Sequence, residues 1–448
     1  MPPNPRLFRR WTLLAAGVTV ACGIVLLIST RAILVWLPAD DVLRPIAFPA
    51  RQLGWTCILL AALPARGVYP KAFFALGLSL LTTVLILGLA EMSSRRLGWD
   101  WKRQESTWRQ LPPFTREPRT PTGTVFFRRE GPEVWNGAVL RTSLIRRGRP
   151  VPPVYQAEPV IEVRYDRWGF REEPGQVDWE IAIAGDSFTE LGCLPHAQLF
   201  TTLLARKSGL RVRNLGVSGT GPYTQLHYLQ EFGRSTSLRQ IGIVFFEGND
   251  LEDLTAELAA LETFRSTGER PHREFDRQTS MLGAVADAWR RWRPASSPSP
   301  EIPLVHTFLS STGAIPVHLT EVPLSRRLIP EGTASRLDGF LEAYRDLSRT
   351  LKVSAWLAYM PCKARVLHPR LDPTSPLPAG REPWWPVDLP HQVAEACRRH
   401  DILFIDLTPA LLAAAKDRGE LVFNPLWEFH LNALGSECVA NELAHRLK

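Results

Sequence analysis

Lysine is what the chain most lacks: only seven of its 53 basic residues are lysine, so the net charge of +8 and the pI near 9.4 rest on arginine. The arginines are scattered, with short clusters such as Arg9 and Arg10, Arg95 and Arg96, and Arg146 and Arg147 beside apolar segments. No basic stripe results, which argues against a nucleic-acid partner and for a solvated or membrane-facing surface. Cysteine is sparse too. Its six positions contain no C-x-x-C pair: Cys22 and Cys57 lie in apolar runs, while Cys193, Cys362, Cys397 and Cys438 are dispersed. That spacing indicates neither a zinc site nor a dense disulfide framework.

Charge is absent from two long stretches near the start. Trp11 to Ile28 is apolar with only Thr, Cys and Gly as relief, and Ala72 to Ala90 is similar. Each approaches the roughly 20 residues that a helix needs to cross hydrocarbon. The first run is too long for a secretory h-region, and Ser29-Thr30-Arg31-Ala32 is a poor cleavage site, so an uncleaved anchor in the lipid bilayer is expected. Between them, Trp55 to Leu63 is too short to span alone; it reads as an interfacial piece or as a short third helix. With two spans, Arg6, Arg9 and Arg10 share a side with Arg95, Arg96, Lys102 and Arg103, which satisfies the positive-inside rule and leaves the remaining chain in the cytoplasm. With three, that chain faces outward against the rule.

The 448 residues exceed the roughly 250–300 over which one core grows, so a main domain with appendages is expected. We divide the chain into a membrane anchor at 1–95, a linker with a small β extension at 96–177, and an α/β domain at 178–448. In the last of these, near-continuous apolar runs (Ile181–Ala184, Val212–Leu215, Ile241–Phe246, Val353–Met360, Ile402–Ile405) alternate with helical stretches (Tyr223–Phe232, Leu251–Leu261, Ala334–Arg349, His391–His400, Ala433–Leu447). That rhythm predicts a parallel sheet covered on both faces, a three-layer α/β/α fold. An insertion interrupts it at about 264–333.

In such a sheet ligands bind beyond the carboxyl ends of the strands. There the first strand runs into Gly185-Asp186-Ser187-Phe188-Thr189, the second into Asn214-Leu215-Gly216-Val217-Ser218-Gly219, and the third into Glu247-Gly248-Asn249-Asp250, with Glu428-Phe429-His430-Leu431-Asn432 near the end. Gly-Asp-Ser alone is a weak signal, equally a strand-to-helix turn capped by Ser or Asp. The coincidence of four blocks is stronger, because acyl transfer needs a hydroxyl nucleophile, a base for its proton and preformed donors for the oxyanion.

These residues resemble the GDSL/SGNH hydrolase superfamily, whose blocks carry Ser, Gly, Asn and His in this order, with a flavodoxin-like sheet. The resemblance covers about residues 178–448. It implies Ser187 as nucleophile and its N–H as one oxyanion donor, with the Gly219 N–H as the second and the Asn249 amide as the third. Gly216 is a nearby competitor for the second. It implies His430 as the base. Members usually carry an aspartate two or three residues before the histidine; here those positions hold Glu428 and Trp427. Glutamate can still accept the imidazole N–H, so Glu428 is expected to orient His430, the other reading being a solvated Glu428 with a backbone carbonyl in its place. Asp186 is expected to brace the nucleophile turn and Asp250 to cap the following helix, while Trp384 and Trp385 read as loop anchors or as a sugar-stacking pair.

The expected activity is ester hydrolysis through an acyl-Ser187 intermediate, on O-acyl groups of cell-envelope carbohydrate. O-acyl transfer to a polysaccharide hydroxyl would use the same site. A non-catalytic envelope scaffold, with complex partners, is the reading from another class. No metal or organic cofactor is called for. The resemblance places the domain on the periplasmic side of a bacterial cytoplasmic membrane, and the two-span charge bias on the other.

Overall fold

The computed structural model describes residues 111–447 apart from 117, 119, 147–148, 172–177, 269–304, 320–331 and 375–387, together with 88, 89, 92, 93 and 96. The apolar runs at Trp11–Ile28 and Trp55–Leu63, nearly all of Ala72–Ala90, and Trp384 and Trp385 lie outside the described residues. Among the described residues no helix is long and apolar enough to cross a membrane. The described residues from 111 onward belong to one compact unit, Ser106–His272 with Ser299–Lys448.

Ahead of the main sheet come β1 (Thr120–Thr122), β2 (Phe126–Arg128), β3 (Glu133–Gly137), α1 (Val139–Arg146), α2 (Pro153–Gln156) and β4 (Ile161–Tyr165). β1 pairs antiparallel with β2, and β3 with β4. The alternating unit comes next: β5 (Ile181–Gly185), α3 (Ser187–Glu190), α4 (Phe200–Ser208), β6 (Val212–Gly216), α5 (Pro222–Phe232), β7 (Gln240–Phe246) and α6 (Asp250–Thr267). After the hairpin of β8 (Val305–Ser310) and β9 (Gly313–His318) it resumes with α7 (Thr333–Leu351), β10 (Ser354–Met360), α8 (Lys363–Leu367), α9 (Leu389–Arg399), β11 (Leu403–Asp406), α10 (Thr408–Leu412) and α11 (Ala433–Arg446).

Five strands form one parallel sheet in the order β11-β10-β7-β5-β6. Apolar residues fill consecutive positions because both faces are covered, and every residue of β5 is buried. On one face Ile181, Ile183, Val244, Trp356 and Ile405 pack with Leu204 of α4 and Val439 and Leu443 of α11. On the other, Ala182, Ala184, Ile241, Ile243 and Leu357 meet Tyr228 of α5, Phe340 and Tyr344 of α7 and Val393 of α9. Each buried valine, leucine, isoleucine or phenylalanine among them contributes about 1.5–3 kcal/mol. The chain leaves β5 for β6 on one side and β7 on the other, so the crevice opens at the carboxyl ends of β5 and β7.

Three features differ from the sequence reading. The segment expected to be a linker and β extension shares a buried core with the sheet: Phe114, Trp135, Val139, Tyr155, Val163 and Tyr165 pack in the same cluster as Ile183 and Phe246. Helix α6 runs to Thr267, past the expected Leu261, and ends on Gly268 in the left-handed conformation. Part of the expected insertion is the β8–β9 hairpin, whose His318 N–H donates to the Pro425 carbonyl at 2.9 Å.

Candidate active site

The first strand ends in a sharp turn. Asp186, the residue expected to brace this turn, is the N-cap of α3, its Oδ1 accepting from the Phe188 N–H at 2.8 Å. Ser187 follows at the first helical position, where the backbone N–H has no helical acceptor. Its hydroxyl lies 3.5 Å from Asp186 Oδ2, the long limit for a hydrogen bond. Burial holds the Asp186 carboxyl above its ordinary range, pushed up to about 7, against the pull of the Phe188 N–H and of charge on His430.

The two glycines of the second block have different surroundings. Gly216 is buried, and its N–H already donates to Asn214 Oδ1 at 2.8 Å. A Cβ there would come within 2.3 Å of the Glu190 nitrogen. Gly219 is exposed with a φ of 76°, faces open space, and its N–H takes no hydrogen bond among the described residues. The loop is tied to the Ser187 turn, since the Val217 N–H donates to Gly185 O at 3.1 Å and the Ser218 N–H to Glu190 Oε2 at 2.5 Å. Of the two, Gly219 has the N–H available to an incoming oxygen.

Asn249 enters α6 beyond β7. Its Nδ2 donates to Asp253 Oδ2 at 2.6 Å, which commits one N–H and leaves the second. Asp253 packs against Gly221, two residues past Gly219, since a Cβ on Gly221 would meet Asp253 Cβ at 2.7 Å. Asp250 departs from expectation. Its carboxylate does not cap α6 but reaches back to accept from the Phe246 N–H at 2.6 Å and from Gln225 Nε2 at 3.4 Å, because at the first helical position the side chain faces the strand end. Burial, and then the charge of Asp186, raise this carboxyl well above its usual value.

His430 lies just ahead of α11, which Asn432 caps by accepting from the Gly435 N–H at 2.9 Å. Its backbone is held by Asn424, whose N–H donates to the His430 carbonyl at 2.9 Å and whose Nδ2 reaches it at 3.2 Å. His430 Nδ1 hydrogen-bonds Glu428 Oε1, and that oxygen also accepts the N–H groups of Phe429 and His430 at 3.1 and 3.2 Å. Burial pushes the Glu428 carboxyl up, but the His430 charge and these hydrogen bonds outweigh it and keep it below the usual range. The Glu428 side chain is 14% exposed and its Oε1 is bonded within the protein, so the solvated reading does not describe it.

Aromatic packing brings the blocks together. Phe188, next to Ser187, stacks on Phe246 at 4.0 Å between centroids and meets the His430 ring at 4.9 Å. Phe429 lies 4.3 Å from the same ring, and Phe114 meets it edge-on at 4.9 Å. The Ser187 turn, the end of β7 and the histidine block therefore share one cluster.

Several supporting residues escaped the sequence reading. Lys363, 1% exposed, donates to the carbonyls of Asn424, Pro425 and Glu428 at 2.5, 2.7 and 3.1 Å, and so ties down the loop leading to His430. Burial pulls its pKa down to about 7, with Glu428 opposing. Arg365 grips Glu247, which also accepts from the Cys362 N–H at 2.9 Å. Trp427 takes a φ of 56°, which costs about 1–2 kcal/mol. His318 Nδ1 accepts its N–H at 3.0 Å, and the two rings meet edge-on at 4.5 Å. A lone lysine in a Pro-Cys-Lys context carries no signal of burial; only the fold supplies it. Among the described residues no group of His, Cys, Asp and Glu could hold a metal ion.

The sequence matches the profile of the GDSL-like lipase/acylhydrolase family over residues 183–438. Solved structures similar to the chain include an acetyl xylan esterase, 13% identical, covering 60% of this chain and 100% of its own at a TM-score of 0.32. An acetylxylan esterase from Geobacillus stearothermophilus is 11% identical, covering 61% and 95% at 0.27. A salicylyl-acyltransferase from a tetracycline biosynthetic pathway is 12% identical, covering 64% and 67% at 0.28. No curated protein matches the chain.

Proposed function

Because the chain belongs to the GDSL-like lipase/acylhydrolase family, we propose that it is a serine esterase that removes O-acyl groups through an acyl-Ser187 intermediate. The observation carrying this is the packing of the Phe188 ring on His430 with Glu428 on the far nitrogen, which sets the nucleophile turn beside an oriented imidazole. In the proposed reaction His430 takes the Ser187 proton as the hydroxyl oxygen attacks the acyl carbon. The oxyanion so formed is met by the N–H groups of Ser187 and Gly219 and by the free N–H of the Asn249 amide. Collapse expels the alcohol, which leaves with the proton from His430. Water then repeats the sequence on the acyl-serine and restores the hydroxyl.

As substrate we propose acylated carbohydrate of a bacterial cell envelope, reached from the membrane through the apolar runs at Trp11–Ile28 and Ala72–Ala90. This needs residues 100–448 on the periplasmic side. A reporter fusion at the C-terminus reads that side, and a cytoplasmic result would replace envelope carbohydrate with lipid or metabolite esters.

A fluorophosphonate probe tests the chemistry. Labelling of the wild type that vanishes in Ser187→Ala supports the esterase, and folded wild type that takes no label points to a scaffold. Product partition with acceptor sugars present separates hydrolysis from acyl transfer.

A further inference from the structure

A buried arginine from the strand segment ahead of the sheet stands beneath the nucleophile helix. Arg129, 4% exposed, donates from Nε and Nη2 to the two oxygens of Glu190 at 2.7 and 2.8 Å. Its remaining N–H groups take the carbonyls of Pro113, Arg116 and Phe114 at 2.5, 2.6 and 3.2 Å. Glu190 closes α3 and is fully buried. It accepts two further donors, the Tyr165 hydroxyl on Oε1 and the Ser218 N–H on Oε2, each at 2.5 Å. Four donors thus occupy the lone-pair directions of one carboxylate.

A carboxylate with no access to water is costly unless an opposite charge and full hydrogen bonding compensate it. The Glu190 carboxylate meets that requirement by pairing with the Arg129 guanidinium, and it turns one oxygen to Ser218, the residue before Gly219. The peptide N–H of Gly219 is the one with an open approach, at a left-handed φ of 76°. Fixing the Ser218 N–H on Glu190 sets where the next peptide plane points. The same segment carries Phe114, whose ring meets the imidazole of His430.

We propose that Arg129 is a positioning residue of the acyl-transfer site: through Glu190 it holds the Ser218–Gly219 turn so that the Gly219 N–H meets the developing oxyanion. The strands before the sheet are thereby a working part of the enzyme. The inference rests on the esterase reading above. The competing account is a structural tie between this segment and the core, which would change melting without changing the turnover of folded enzyme.

The test compares full-length wild type with Arg129→Lys, Glu190→Gln and Tyr165→Phe, each checked for folding by circular dichroism, in p-nitrophenyl acetate hydrolysis and fluorophosphonate labelling. The lysine keeps the charge but loses the fork, and the glutamine keeps the shape but loses the charge. Both are expected to lower kcat about 10-fold with KM within about two-fold, a fraction of the roughly 10²–10³ that outright loss of an oxyanion donor costs. Labelling should slow in parallel yet still reach completion. Equal kcat per folded molecule overturns the proposal. Should the first two fail to fold, Tyr165→Phe removes only one hydroxyl from Glu190 and retains the ring; a roughly three-fold fall in kcat is expected, and no fall overturns the proposal. Wild type that neither turns over nor labels would sink the esterase reading, whereas active wild type with equally active variants sinks this inference alone.

Discussion

His430 turns its Nδ1 onto Oε1 of Glu428, two residues earlier, and the backbone N–H groups of Phe429 and His430 converge on that same oxygen. The extra methylene of glutamate, relative to the aspartate usual at such a site, is accommodated by folding the side chain back over its own backbone. In the proposed reaction this carboxylate fixes the imidazole tautomer and stabilises the imidazolium formed during attack. Glu428→Gln is expected to lower kcat by at least about 10²-fold, toward the roughly 10⁴-fold that mispairing the imidazole costs in serine triads. Steady-state kinetics beside Ser187→Ala check this, and near-normal turnover in the glutamine variant would remove Glu428 from the mechanism.

Gly216 and Gly219 should respond to different degrees to the same substitution. Gly216→Ala drives a Cβ to 2.3 Å from the Glu190 nitrogen, a backbone atom that cannot yield, so loss of stability beyond the about 1–3 kcal/mol of ordinary overpacking is expected. Gly219→Ala meets no atom and costs about 1–2 kcal/mol of left-handed strain, so it folds with a reduced kcat. Thermal melting of both variants and turnover of the second read the difference.

Lys363→Met keeps the length of the side chain while removing its three carbonyl contacts. Each hydrogen bond to a charged group contributes about 1.5–3 kcal/mol, and the buried methionine recovers part of that, so a net loss of about 2–4 kcal/mol is expected in urea titration. The loop that aims Glu428 and His430 loosens with it, and kcat should fall at urea concentrations far below unfolding.

His318 gives the fold a dependence on pH. Burial first, and then the charges of Lys363, Arg149 and His306, pull its pKa down from 6.5 to about 4, so the neutral ring accepts the Trp427 N–H. The unfolded chain takes up the proton first as pH falls. The contribution is therefore whole above about 6.5 and lost as pH drops through the window down to about 4. His318→Phe retains a ring against Trp427 without the acceptor. Wild type should exceed it in stability by about 1–2 kcal/mol at pH 7.5, with the gap closing toward pH 4. A gap that stays constant across that range would contradict the assignment.

The sheet was legible because both of its faces are buried: Ile181–Ala184 and Ile241–Phe246 are apolar at every position or nearly so, and their shortness between helical stretches fits parallel strands. Strand order was not legible from periodicity, since pairing depends on which faces meet. The four blocks were legible as a family pattern because three of them follow the ends of β5, β6 and β7 and the fourth precedes α11.

The sequence by itself determined the alternation of strand and helix and, through the blocks that hold Ser187, Asn249, Glu428 and His430, the family to which the chain belongs. Only the tertiary structure bonded the Gly216 N–H to Asn214 and left that of Gly219 open, turned Asp250 back onto Phe246, and put Arg129, Glu190 and Lys363 inside the core. The physical reason is range. Periodicity and turn chemistry act over a few residues, whereas the ionic state and direction of a buried group depend on partners such as Arg129 and Glu190, which the chain separates by 61 positions.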